Sequence, residues 1–134
     1  MKSILLVSHG KLAEGMKDTL ELFSGEIEQL DTLALNPGQE MQEFSELLKD
    51  KIEHLDTGQG VVVFTDLAFG TPSNVAVRLL SNKDYQNKVQ IITGMNLPMI
   101  LEYTQLRESN NKFDEIIKIG KDGIIDFNEK LNSQ

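Results

Sequence analysis

Ile4-Leu5-Leu6-Val7-Ser8-His9-Gly10 decides how the rest of this chain is read. Its first four residues are apolar and mostly branched, the pattern of a short strand buried on both faces in the middle of a parallel sheet. The run then stops on Ser-His-Gly. A histidine is thereby placed where a central strand ends, and in open α/β sheets ligands and chemistry collect at the carboxyl ends of the strands. Taken by itself, His9 is equally compatible with a structural histidine packed in a loop. The other strand ends have to decide.

Working outward, Leu12, Met16, Leu20 and Phe23 recur at helical spacing up to Ser24-Gly25. From Ile27 to Leu35 the pattern loosens to alternation, as expected of an edge strand with one less buried face. Asn36-Pro37-Gly38 is a turn that opens a second helix, carried by Met41, Phe44, Leu48, Ile52 and Leu55 and ended by Thr57-Gly58-Gln59-Gly60. Val61-Val62-Val63-Phe64 is the second continuous apolar run and belongs, like the first, in the middle of the sheet. Thr71-Pro72 opens a third helix, with Thr71 suited to the cap and Pro72 to the first turn. A fourth strand follows at Val89 to Ile92, then Thr93-Gly94-Met95-Asn96 and a helix from about Leu97 to Arg107. Asn110-Asn111 marks a break. Phe113, Ile117, Ile124, Phe127 and Leu131 then suggest a broken helix, interrupted by Gly120 and Gly123, although Ile116 to Ile119 also suits a short strand.

Alternation of strand and helix predicts an α/β fold with an open, mainly parallel sheet of four strands, helices on both faces and a C-terminal helical or mixed extension. Right-handed crossovers and central placement of strands one and three give the order 2-1-3-4. The direction of winding then reverses between strands one and three, so His9 and whatever follows Phe64 flank the expected crevice. No repeat, low-complexity tract or linker divides the chain, and residues 1–134 are read as one domain.

Composition narrows the function classes. A net charge of -8 argues against a nucleic-acid partner, whose affinity rests on Lys and Arg neutralising phosphates. With no cysteine there is neither a disulfide framework, a thiolate nucleophile nor a Cys-based metal site. No apolar run is long enough to insert in a membrane and the N-terminus has no leader pattern, so the expectation is a cytoplasmic protein.

Phe64 is followed by Thr65-Asp66-Leu67-Ala68-Phe69-Gly70-Thr71-Pro72-Ser73-Asn74. Asp66 ends strand three as His9 ends strand one, which brings the two side chains within reach of one another. A carboxylate accepting the Nδ1 hydrogen holds the ring in the tautomer with a bare Nε2 and stabilises positive charge on it. Beside them, the amides at the start of the third helix, the Gly70 backbone and the Thr71 hydroxyl form a candidate cradle for phosphoryl oxygens. Taken singly, Asp66 reads first as a loop or capping carboxylate and the Gly70-Thr71 turn as an ordinary capped helix start. Their convergence on one crevice points to function. His54 and the charges from Glu46 to Asp56 read as a solvated helix face, and Met95, Leu97 and Met99 as packing.

Ser8-His9-Gly10, Asp66-Leu67 leading to Gly70-Thr71-Pro72 and Asn74, and Gly94-Met95-Asn96-Leu97-Pro98-Met99 together resemble the IIA component of the mannose family of the bacterial sugar phosphotransferase system. The resemblance implies a phosphoryl carrier without a cofactor or metal. His9 would accept the phosphoryl group at Nε2 from the phosphocarrier HPr and pass it to a histidine on a IIB partner; Asp66 would orient His9, and Thr71 with nearby amides would hold the phosphoryl oxygens. It also implies a homodimer. The chain departs from the family where Ala68-Phe69 replaces the usual Phe-Gly, removing a flexible position, and where Ser73 replaces a common Phe.

Three other readings compete. The phosphocarrier subunit feeding dihydroxyacetone kinase would use the same His9, but Asn36-Pro37-Gly38 and the Gly70-Thr71-Pro72 turn look more like the sugar system. A receiver-like or anion-sensing module would need clustered acids after strand one, and Val7-Ser8-His9 offers none. A hydrolase built on Ser8 is weaker still, because neighbouring residues on a strand point to opposite sides.

Overall fold

A computed structural model describes residues 1–108 and 113–133 of the chain. The chain forms two compact units, Met1–Met95 and Asn96–Gln134.

The first unit holds β1 (Ser3–His9), α1 (Leu12–Ser24), β2 (Leu30–Leu35), α2 (Met41–Leu55), β3 (Val61–Thr65), α3 (Thr71–Leu79), α4 (Lys83–Gln86) and β4 (Val89–Ile92). The strands form one sheet in the order β2-β1-β3-β4, every neighbouring pair parallel. The expected order and strand direction are both found. Residues 3–8 of β1 and all of β3 are buried, which is why Ile4 to Val7 and Val61 to Phe64 run apolar without alternation. Successive side chains on a strand face opposite ways, so Leu5, Val7, Val61 and Val63 share one core with Phe44, Leu48 and Ile52 of α2 and Val75, Ala76 and Leu79 of α3. Right-handed crossovers put α1, with buried Ala13 and Leu20, on the other face. Edge strand β2 buries only Leu30 and Leu33 and starts three residues later than Ile27, where its apolar alternation begins.

One local expectation is corrected, and one element was not foreseen. The residue preceding α3 is Gly70, in extended conformation, so Thr71 is the first helical residue and not the cap. The four-residue α4 is too short to show a helical period, and nothing in the sequence pattern announced it. Ser8 points into the protein, where its hydroxyl accepts the Ala13 amide at 2.8 Å, satisfying a first-turn donor of α1. It faces away from His9, as strand geometry requires.

The second unit holds α5 (Leu97–Leu106), α6 (Phe113–Asp122) and α7 (Phe127–Asn132). The segment from Ile116 to Ile119 is helical, which removes the strand alternative, and the break expected at Asn110-Asn111 lies outside the described residues. Asn96 caps α5 by accepting the Met99 amide at 3.1 Å, and its side-chain amide donates to the Gly120 carbonyl at 2.8 Å. Gly120 is buried inside α6, and a Cβ there would lie 2.9 Å from Met99 Cε and 3.2 Å from Met99 Cβ. One from Gly123 would lie 2.9 Å from Pro98 Cγ. Gly120 thus lets α6 approach its neighbour without breaking, whereas Gly123 directly follows the last residue of α6, where the expected interruption falls. Among the described residues no helix is long and apolar enough to cross a membrane.

Candidate functional site

Parallel register brings the first two residues together. Val7 pairs with Thr65, so β1 runs on to His9 beside the point where β3 gives way to Asp66. Oδ2 of Asp66 accepts from the His9 amide at 2.9 Å and lies 2.8 Å from His9 Nδ1, while Oδ1 accepts the Leu67 amide at 2.9 Å. The carboxylate therefore reads both the backbone and the ring of the histidine. Gly10 follows at φ +56°, a left-handed conformation that turns the chain away immediately after the ring.

The protonation pattern follows from the environment of Asp66, whose side chain is only 8% exposed. Burial opposes its charge, but the hydrogen bonds from the His9 amide, the His9 ring and the Leu67 amide, with the charge attraction of His9, outweigh that and hold its pKa below the ordinary 3.8. An ionised carboxylate only accepts hydrogen bonds. The proton between the two side chains consequently sits on Nδ1, and the neutral ring carries its lone pair on Nε2. The His9 side chain is 46% exposed, so the ring is accessible while its orienting acid is buried.

Gly70 lies against the same ring. A Cβ built there would come within 2.7 Å of His9 Cε1 and 3.4 Å of Nε2, so only glycine leaves the imidazole where it is. From Gly70 the chain enters α3, with Thr71 half-buried at its first position and Pro72 in the first turn. First-turn amides have no intrahelical partner, and here Thr71 and Ser73 carry them, proline having none. On the other side, His9 and Gly10 share an open cleft of about 390 Å³ with the turn over residues 36–39. Its position follows from the pairing of His9 with Leu35, the last residue of β2.

All four residues singled out from sequence, His9, Asp66, Gly70 and Thr71, thus fall at one end of the sheet. Sequence patterns did not reveal Thr65 and Ser73, both fully buried, whose hydroxyl oxygens are 2.6 Å apart. The Ser73 hydroxyl also bonds the Leu67 carbonyl. The one available signal was the resemblance noted from sequence, in which Ser73 replaces a common Phe. His54 is exposed at the end of α2, and Met95 and Met99 are buried, as expected. The Met95 amide donates to the Thr65 carbonyl at 2.9 Å, bringing the loop after β4 to the end of β3.

Residues 3–119 match the model of the mannose-type EIIA family, described as the fructose IIA component of the PTS, the phosphotransferase system. The chain belongs to that family. As a mannose-type IIA it is a component of the sugar phosphotransferase system. It is similar to the mannose-specific EIIAB component of Escherichia coli K12, 29% identical over 126 residues, 91% of this chain and 38% of that protein. It therefore spans well under half the length of that relative. The sorbose-specific EIIA component of Lacticaseibacillus casei is 30% identical over 99 residues, 74% of this chain and 69% of that one. Among solved structures, the PTS IIA protein associated with the fucose utilization operon of Streptococcus pneumoniae superposes with a TM-score of 0.88 at 34% identity, covering 97% of this IIA chain and 96% of the other.

Proposed function

We propose that this IIA is a cytoplasmic phosphoryl carrier, a single module acting as a homodimer. His9 Nε2 accepts a phosphoryl group from phospho-HPr and passes it to a histidine on a IIB component during sugar uptake. The observation that carries this reading is the 2.8 Å contact between Asp66 Oδ2 and His9 Nδ1, which leaves Nε2 bare on a half-exposed ring. The reaction is an in-line transfer between two imidazoles: the P–N bond to the donor ring breaks as a P–N bond to Nε2 forms. Positive charge grows on the His9 ring, and Asp66 stabilises it through Nδ1. The Thr71 hydroxyl and the amides at the start of α3 face the transferred oxygens, with the Gly70 backbone alongside. Both partners dock over this end of the sheet, where Leu67 and Phe69 are exposed. The donor is already a phosphohistidine, so the step requires neither a metal nor a cofactor.

The test is intact mass after incubation with phosphoenolpyruvate, enzyme I and HPr. The expected result is one acid-labile phosphoryl group on the parent and none on His9→Ala. Phosphorylation of both, or of neither, overturns the assignment. Light scattering of the purified chain tests the homodimer.

A further inference from the structure

The loop that carries Asp66 has an unusual means of support. Leu67, Ala68 and Phe69 are three consecutive exposed residues, with Phe69 94% exposed, so no side chain of theirs anchors the loop in the core. Its interior attachment comes from Ser73, two residues into α3 and wholly buried, whose hydroxyl donates to the Leu67 carbonyl. A serine hydroxyl has one hydrogen. With that hydrogen on the Leu67 carbonyl, the 2.6 Å contact with Thr65 must have Thr65 as donor and Ser73 Oγ as acceptor. The hydroxyls therefore run in one direction, from Thr65 at the end of β3, through Ser73, to the loop.

Leu67 is consequently held at both of its backbone groups: its carbonyl by Ser73 and its amide by Asp66 Oδ1 at 2.9 Å. The other oxygen of that carboxylate orients His9. We infer that Ser73 is a positioning residue for the carrier histidine, acting through Leu67 and Asp66 to hold His9 in its Nδ1-protonated tautomer. This rests on the proposed carrier role of His9 for its significance, although the arrangement of hydrogen bonds it describes does not. The Ser73 side chain, turned inward to Thr65 and Leu67, touches no reacting atom.

The test is imidazole nitrogen NMR on protein labelled at both ring nitrogens of histidine, at a pH about two units above the ordinary imidazole pKa. The parent is expected to show one protonated and one bare nitrogen for His9. Ser73→Ala should move both His9 shifts toward the average of two exchanging tautomers, with His54 unchanged as an internal reference. Thr65→Val removes a buried hydroxyl of the same core but leaves the Ser73 proton on Leu67, so it should keep the parent pattern. General loosening of the core would disturb both variants alike, and that result overturns the inference, as does a parent-like pattern in Ser73→Ala. If Ser73→Ala does not fold, Ser73→Cys, similar in size with a weaker donor, must show partial averaging; a parent-like pattern there counts equally against the inference. In phosphorylation by phospho-HPr, Ser73→Ala should lower kcat about tenfold with KM unchanged. Absence of phosphorylation in the parent would remove the carrier reading and leave the NMR result standing on its own.

Discussion

At the scale of single residues, the site turns on which atoms carry hydrogen. Oδ2 of Asp66 accepts two N–H groups of His9 while Oδ1 accepts the amide of Leu67. An asparagine cannot satisfy both sides: whichever way its amide is turned, an NH₂ group meets an N–H. Asp66→Asn should therefore destabilise the protein by about 1–3 kcal/mol at neutral pH and slow phosphorylation at least tenfold, measured by denaturation and rapid quench. Because the folded-state pKa of Asp66 lies below its ordinary value, this stabilisation is complete above that value and is lost as the pH falls through the depressed one. The stability gap between parent and variant should stay constant down to about pH 4 and close below it. Gly70→Ala tests the fit around the ring. The Gly70 backbone, at φ -103°, accepts any side chain, but the new Cβ would crowd His9 Cε1 from 2.7 Å. A folded protein with transfer slowed at least tenfold is expected; parent-like rates would mean that the ring yields without consequence.

At the scale of elements, what was readable and what was not has a common cause. β1 and β3 announced themselves because a strand covered on both faces carries an unbroken apolar run, and α2 because five apolar residues keep a helical period across fifteen. Four residues of α4 hold no period at all. Ile116-Ile117-Lys118-Ile119 suits either period, and packing decides it. Glycine carries the least information, since the same residue ends one helix and lets another come close. Gly15, exposed inside α1 with nothing within 4 Å of where a Cβ would sit, contrasts with Gly120, whose Cβ would press on Met99. Gly15→Ala should stabilise by about 1 kcal/mol through helix propensity, whereas Gly120→Val should destabilise by about 1–3 kcal/mol through overpacking. Chemical denaturation separates them, and equal effects would mean that space is not the deciding quantity. Site residues followed the same logic: strand ends exposed His9 and Asp66, but a serine in the first turn of a helix is ordinary, so Ser73 gave no notice of what its hydroxyl holds.

At the scale of the whole molecule, the winding order 2-1-3-4 is what makes a site of residues far apart in sequence, by setting the end of β1 beside the end of β3 with no strand between them. The same scale governs the ring at position 69, which stands almost entirely in water. An exposed aromatic ring is open to contact with every other molecule in solution, and the net charge of -8 on each chain opposes such contacts by mutual repulsion. That repulsion vanishes near the isoelectric point of 4.7. Turbidity should rise as a solution is titrated toward that pH, and Phe69→Ser should delay it; identical curves would show that the ring is not the adhesive. The exposed ring and the net negative charge thus pull in opposite directions: the one draws molecules together, and the other keeps them dispersed.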